Sequence, residues 1–261
     1  MAEDFFDPVT ETIEDLGRKG FRLIQRKDGF RFGEDTVLLA YYAAEVAPKF
    51  KRGTKALDLG AGCGASGVLL AARRPDVRID GIEIDAASFN VFSRNVRMNG
   101  LIDRVRPIQG DIRDFPDARN VLCASYDFVF FNPPYGNPNR GPVTQPENKT
   151  ESLRNARFEI NGRLVDFFKT AADALRPGGI MAMVHRSVRL PEAMRVLLEN
   201  GLQPIGLRMI HPRADARATA FLLSARKGGK PGGFFAEAPL ILRNGDMIMT
   251  EEMNRIYTDG E

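Results

Sequence analysis

The sequence predicts an α/β protein built on a doubly wound, mostly parallel sheet, and three observations predict it. Short apolar runs alternate with amphipathic helical stretches through the middle of the chain, the pattern of successive strand–helix units. The runs are apolar almost throughout, as expected of strands covered by helices on both faces. A glycine-rich turn joins the first run to its helix.

Taken in order, KALDLGAG ends a strand at about 55–59, and ASGVLLAARRP reads as a helix stopped by Pro75. VRIDGIEI (77–84) is a second strand, followed by a helix over DAASFNVFSRNVRMNGL with Gly100 as its stop, since glycine accepts the left-handed conformation there. RVRPIQGD (104–111) is a third strand, and YDFVFFNPPY (126–135) begins as a fully buried one. RLVDFFKTAADALRPGG (163–179) reads as a helix ended by Pro and Gly, with IMAMVHR (180–186) as the next strand. Residues 191–200 look helical, and 204–211 and 218–225 read as two closing strands. One α/β domain over 35–227 accounts for these elements. Residues 1–34 form an N-terminal extension, and 228–261 a C-terminal linker and tail packing on the domain. The segment 136–155 is long, polar and Pro-rich, and such a loop inside a compact domain is functional or disordered.

Composition excludes several classes. The 261 residues are 43% hydrophobic and 27% charged, ordinary for a globular protein and unlike a collagen, a coiled coil or a disordered chain. No apolar run reaches the roughly 18–20 residues that cross a bilayer, and the acidic start has no apolar signal region. Two cysteines, Cys63 and Cys123, make no disulfide framework, so a cytoplasmic location is expected. The net charge is +3, but it is unevenly placed. Residues 1–15 carry six acids and no base, while Arg18, Lys19, Arg22, Arg26, Lys27 and Arg31 follow at once. The acidic start either stays disordered or covers this basic strip. Arginine-rich strips favour a polyanionic partner.

Four groups of residues carry chemistry. Asp58, Gly60, Gly62 and Gly64 sit at the first strand-to-helix turn, where glycines admit a ligand close to the backbone and a helix start offers free N–H groups. Gly62-x-Gly64-x-x-Gly67 also fits a dinucleotide fingerprint. Glu83 closes the second strand, where an acid accepts hydrogen bonds from ribose hydroxyls, while Asp85 suits the helix cap beside it. Asp111 ends the third strand, placed for an adenine amino group or for a cap, with Ile112 as an apolar wall. Asn132-Pro133-Pro134-Tyr135 follows the buried strand directly. Two prolines stiffen that corner and push Asn132 into an extended conformation. The Asn132 side-chain oxygen and the Pro133 carbonyl can then accept both N–H bonds of a conjugated amine, which lets its nitrogen pyramidalise and favours the positive charge that grows there. Tyr135 can stack on a planar substrate. Too few Cys and His are present for a metal centre, and none is expected.

Together DLGAGCG, Glu83, Asp111 and NPPY resemble the class I S-adenosylmethionine-dependent methyltransferases that act on amino nitrogens. GFRFGEDTVLLA (29–40), ARFEINGRLVDFF (156–168), HPRADARATAFLLSARKG (211–228) and EEMNRIY (251–257) are similar to segments of the bacterial valine-tRNA adenine N6-methyltransferases. That family commonly reads Ala-Arg-His-Glu where Phe158 stands in the third place here. The resemblance implies a Rossmann-like sheet of seven strands and S-adenosylmethionine as cofactor. It assigns Asp58, Gly60, Gly62 and Gly64 to the cofactor's amino-acid part, Glu83 to its ribose, and Ile84, Asp111 and Ile112 to its adenine. Asn132, Pro133, Pro134 and Tyr135 are the implied catalytic corner, with Asn132 also beside the cofactor. Phe32 and the stretch 154–157 are candidates for the pocket mouth.

The expected reaction is methyl transfer to N6 of an adenine in tRNA, at position 37 of valine tRNA. The anticodon loop presents its base unpaired, as chemistry on a base requires. Protein-glutamine or rRNA N-methylation is the alternative within the class, because a side-chain amide offers the same pair of N–H donors. A nicotinamide-dependent oxidoreductase leaves NPPY unexplained, and a non-catalytic RNA-binding domain leaves both Glu83 and NPPY unexplained. No membrane partner is expected, and the chain is expected as a monomer or weak homodimer.

Overall fold

In the computed structural model, which describes residues 6–29, 31–50, 53–114, 124–135 and 162–258, a hairpin of β1 (Glu11–Asp15) and β2 (Arg22–Arg26) precedes helix α1 (Glu34–Val46). Strands β3 (Thr54–Leu59), β4 (Val77–Glu83) and β5 (Val105–Gln109) then alternate with α2 (Ala65–Arg73) and α3 (Ala86–Met98). After β6 (Tyr126–Phe131) come α4 (Leu164–Ala174), β7 (Leu175–Arg186), α5 (Leu190–Glu199), β8 (Leu202–His211) and β9 (Ala220–Lys227). Two-residue strands β10 (Phe235–Ala236) and β11 (Leu240–Ile241) and helix α6 (Glu251–Tyr257) complete the described chain. The segment 136–155, the stretch 154–157 and Phe158 lie outside the described residues.

The body of the sheet runs β8-β9-β7-β6-β3-β4-β5. Strands β5, β4, β3, β6 and β7 are parallel, and β9 is antiparallel to both β7 and β8. This is the mostly parallel sheet that the alternating pattern predicts, and it has the Rossmann-like order that the resemblance implies. The seven expected strands are joined by β10 and β11, which pair with β8; two residues are too few to show an alternation in sequence. From β3 the chain winds outward to β4 and β5 on one side, and β6 and β7 lie on the other. Crevices form at the carboxyl ends of strands flanking such a reversal.

Strand residues alternate between two cores because successive side chains point to opposite faces. Phe128 and Phe130 of β6, with Ala182 and Val184 of β7, pack among residues of α1, α2 and α3. Val129 and Phe131, with Met181 and Met183, face Phe167 and Phe168 of α4 and Val196 and Leu197 of α5. Both β6 faces are closed, which is why FVFF is continuously apolar.

The helix expected over 163–179 is shorter. It ends at Ala174, and Arg176–Gly179 belong to the start of β7. The ladder to β6 skips there, from Tyr126↔Leu175 to Phe128↔Ile180, as Pro and Gly favour in a bulge. Buried Asp127 explains the detour: it accepts the Lys55 N–H at 2.9 Å and lies 2.8 Å from Arg176 Nε. A buried carboxylate needs such partners.

Of the described acidic start, residues 11–15 form a strand against the basic strip, but Glu11 itself is engaged by Arg94 and Arg26 by Asp28. β1 pairs antiparallel with β2, Glu11 opposite Arg26 and Asp15 opposite Arg22, and Glu14 contacts Arg31. The hairpin is clipped to α3 by side chains that imitate a strand edge. Asn95 accepts the Ile24 N–H (2.7 Å) and donates to the carbonyls of Ile24 (3.0 Å) and Cys63 (2.9 Å). Asn99 does the same for Arg22, at 2.9 and 2.7 Å. Through Asn95 the hairpin is therefore tied directly to the glycine turn. At the other end, α6 is capped by Thr250, packs on α1, and buries Met253 and Ile256.

Candidate active site

A cleft of about 640 Å³ opens at the carboxyl ends of β3, β4 and β6. Its floor is the glycine turn. Gly60, Gly62 and Gly64 have φ of +70°, +58° and +84°, the left-handed region that disfavours other residues. Their neighbourhoods differ. A Cβ on Gly64 would lie 2.0 Å from the Phe92 ring, whereas one on Gly62 would meet nothing within 4 Å. Gly64 is thus needed for packing beneath the turn, and Gly62 leaves the space above it open. Gly60 and Gly62 line the cleft, and Gly64 does not.

Asp58 is buried below the turn rather than lining the cleft. Burial, then the nearby Glu83 charge, pushes its carboxyl well above the usual range, and the N–H of Gly67 gives partial relief. Its Oδ2 has no hydrogen-bond partner among the described residues. The site therefore holds an acid short of positive charge.

Glu83, at the end of β4, lines the cleft. Its Oε2 accepts the Gly62 N–H at 2.7 Å and its Oε1 the Asp85 N–H at 2.8 Å. Each oxygen keeps a lone pair for a hydroxyl. Burial raises its pKa against those two hydrogen bonds. Asp85 caps α3 instead, accepting from the N and Oγ of Ser88, both at 2.8 Å, so Glu83 is left to the cleft.

Ile84 and Ile112 also line the wall. Asp111 lies beside them with its carboxylate clamped by Arg113 at 2.8 and 2.9 Å. It does not line the cleft.

Asn132, Pro133, Pro134 and Tyr135 all line the cleft beside the glycine turn, at the end of the strand paired with β3. The Tyr135 ring packs against His185, centroids 5.2 Å apart, with the Arg186 guanidinium 4.9 Å over it. Its hydroxyl lies 2.8 Å from Asp35 Oδ2 and 2.7 Å from Asn132 Oδ1. Burial, then Asp35, pushes the phenol upward. His185 is fully buried, and burial followed by Arg189 and Arg186 pulls it down to about 3. It is a neutral platform and no proton carrier at neutral pH. Cys63 is pushed up to about 12 by burial, which removes it as a thiolate nucleophile.

Phe32 lines the cleft, with Arg26 and Arg31. Sequence reasoning gave no role to Asp35, His185 or Arg186. Asp35 lies inside GFRFGEDTVLLA, and Arg186 ends a strand on the ligand-binding edge; those positions were the available signals. Among the described residues, no three His, Cys, Asp or Glu side chains gather as for a metal ion, and no helix is long and apolar enough to cross a membrane.

Glycine turn, strand-end acid and proline corner thus share one cavity, and comparison with known proteins gives it a class. Residues 38–149 match the methyltransferase small domain. The matched stretch holds the glycine turn, Glu83 and the proline corner together. Among curated relatives, a tRNA1(Val) (adenine(37)-N6)-methyltransferase of Pectobacterium carotovorum is 33% identical over 45% of this chain and 50% of its own. A 4-amino-L-phenylalanine/4-methylamino-L-phenylalanine methyltransferase of Streptomyces pristinaespiralis is 36% identical over 54% and 47% respectively. The chain spans about half the length of these two relatives. Among solved structures, a predicted O-methyltransferase of Agrobacterium tumefaciens superimposes with a TM-score of 0.67 at 23% identity, covering 87% of this chain and 96% of that one. The sheet is thus that of a methyltransferase fold.

Proposed function

We propose that this protein transfers a methyl group from S-adenosylmethionine to the exocyclic N6 amine of an adenine in tRNA, at position 37 of valine tRNA. The observation that carries it is one cavity lined both by a glycine turn with a strand-end acid and by the Asn132–Tyr135 corner.

The residues fit the cofactor. Buried Asp58, with an oxygen lacking a partner, suits a ligand that brings positive charge. The open space over Gly62 admits the ligand backbone, and Glu83 offers two oxygens to ribose hydroxyls. Ile84 and Ile112 would flank the adenine, while Asp111, held by Arg113, stands outside the cleft lining. Gly64 and Asp58 act from beneath, by shaping the turn and its field. When bound, the cofactor supplies an electrophilic methyl on a cationic sulfur.

An adenine amine is a weak nucleophile because its lone pair is shared with the ring. Asn132 and the Pro133 carbonyl hold its two N–H bonds and favour the pyramidal, positively charged nitrogen of the transition state. The proline pair fixes the backbone of that corner in advance, so little backbone reorganisation accompanies reaction. Holding two reactants in line is worth about 7–11 kcal/mol, which assigns the protein mainly a positioning task.

Arg186, half-exposed, lines the cleft with Arg26 and Arg31 and suits RNA phosphates, while Asp28 and Glu14 already engage the other two arginines. Relatives named for tRNA adenine-37 methylation support the same substrate. Nucleosides of valine tRNA from cells lacking the gene should have lost N6-methyladenosine, and mass spectrometry reads this directly. Unchanged N6-methyladenosine would refute the tRNA assignment.

The Streptomyces relative favours a second reading, methylation of a free aromatic amine. The same corner would hold an aniline-type nitrogen. Side-by-side assays with valine tRNA and 4-amino-L-phenylalanine, using labelled S-adenosylmethionine, separate the two.

A further inference from the structure

We propose that Asp35 is a positioning residue, which takes the Tyr135 hydroxyl proton and so leaves the Asn132 side-chain oxygen free to accept the substrate amine. The inference rests on the amine-methylating reading above.

The geometry sets a choice. Tyr135 Oη lies 2.8 Å from Asp35 Oδ2 and 2.7 Å from Asn132 Oδ1. A phenol carries one proton, and burial together with Asp35 keeps it on the oxygen. One proton cannot serve both acceptors. Hydrogen bonds to a carboxylate are roughly twice as strong as those to a neutral amide, so the proton goes to Asp35. Two oxygen lone pairs would then face each other across 2.7 Å. A half-turn of the Asn132 amide removes the conflict, because its oxygen and nitrogen occupy equivalent positions and its NH2 can donate to the phenol. The side-chain oxygen is turned away from Tyr135 and keeps its lone pairs for the substrate.

Without Asp35 the order reverses. The tyrosine proton would bind the Asn132 oxygen and compete with the incoming amine for it.

The surroundings hold this arrangement in place. Asp35 sits in the first turn of α1, which packs on α2 and β7. Its neighbour Glu34 is tied to Arg243 at 2.8 Å. Arg186 Nη2 lies 4.0 Å from Asp35 Oδ2 and covers the tyrosine ring. His185 fixes that ring by stacking.

Single-turnover methylation of a synthetic valine-tRNA anticodon stem-loop tests this with four proteins: wild type, Asp35→Ala, Tyr135→Phe and the double variant. Asp35→Ala should slow methyl transfer about tenfold, the worth of roughly one hydrogen bond, with calorimetric affinity for S-adenosylhomocysteine unchanged. Adding Tyr135→Phe to Asp35→Ala should restore several-fold of the rate, because the competing donor is gone. A merely structural Asp35 would give no such recovery. Asp35→Asn, close to isosteric, should fall between wild type and Asp35→Ala, and it carries the same double-variant test if the alanine protein does not fold. An Asp35→Ala rate equal to wild type, or a double variant no faster than the single one, overturns the proposal. Wild-type protein that binds S-adenosylhomocysteine but methylates no stem-loop overturns instead the reading on which it rests.

Discussion

Gly62 and Gly64 are two residues apart, share a left-handed backbone, and answer to different constraints. At Gly64 a methyl group would land 2.0 Å from Phe92 Cδ2, so Gly64→Ala combines overpacking with a disfavoured φ. The expected loss is about 2 kcal/mol or more, read as a lower urea midpoint. At Gly62 nothing stands within 4 Å. Gly62→Ala should cost only about 1–2 kcal/mol of stability yet weaken S-adenosylhomocysteine binding, measured by calorimetry. If the two variants had the same stability and the same affinity, this division of roles would be wrong. The glycine turn, Glu83 and the proline corner were legible because each is a local pattern at a strand end. Asp35 was not, since its contact with Tyr135 spans 100 positions and no local rule joins them. Asp111 was legible as a strand-end acid, but Arg113 two residues on engages its carboxylate, which position alone does not reveal.

Larger elements show the same limit. The alternating helices and strands could be read from periodicity, because burial on both faces writes continuous apolar runs into the sequence. The N-terminal hairpin could not. Its strands ETIED and RLIQR are mostly polar, and β2 is held by the amides of Asn95 and Asn99 as well as by only two buried aliphatic side chains, Leu23 and Ile24, too few to write a strand pattern. Asn95→Ala would strand the Ile24 backbone groups and the Cys63 carbonyl. A cost of about 1–3 kcal/mol follows for each buried group left unpaired. Amide exchange at Ile24 should accelerate selectively, and unchanged protection there would contradict the clip. The early end of α4 has a similar origin: the Pro-Gly signal was visible, but the buried Asp127 that draws Arg176 into β7 was not.

Across the whole molecule, the carboxylates divide into two groups with opposite pH behaviour. Asp58 and Glu83 are raised by burial above 3.8 and 4.5 respectively, so the native state binds protons more readily than the unfolded chain. Stability from these two should increase as pH falls from above their raised values toward 3.8 and 4.5. Glu11 and Asp76 are lowered, chiefly by hydrogen bonds from Arg94 and Arg74. Their contribution is complete above the unfolded values and is lost as pH falls through the lower folded ones. Urea midpoints of the ligand-free protein should therefore pass through a maximum on the acid side of neutrality, and Asp58→Asn should flatten its alkaline slope. A midpoint that rises steadily toward neutral pH in both proteins would contradict this. With arginines lining the cleft, the proposed tRNA affinity should also fall steeply with added salt.

The most direct measurement is methyl transfer by Asn132→Ala, made alongside its affinity for S-adenosylhomocysteine. Removing one preorganised polar partner of the transition state typically costs about 10²–10³ in rate. Such a loss is expected on the valine-tRNA stem-loop, with cofactor affinity held within about threefold, less than 1 kcal/mol. Near wild-type turnover by the Asn132→Ala protein would show that the Asn132 oxygen does not hold the substrate amine.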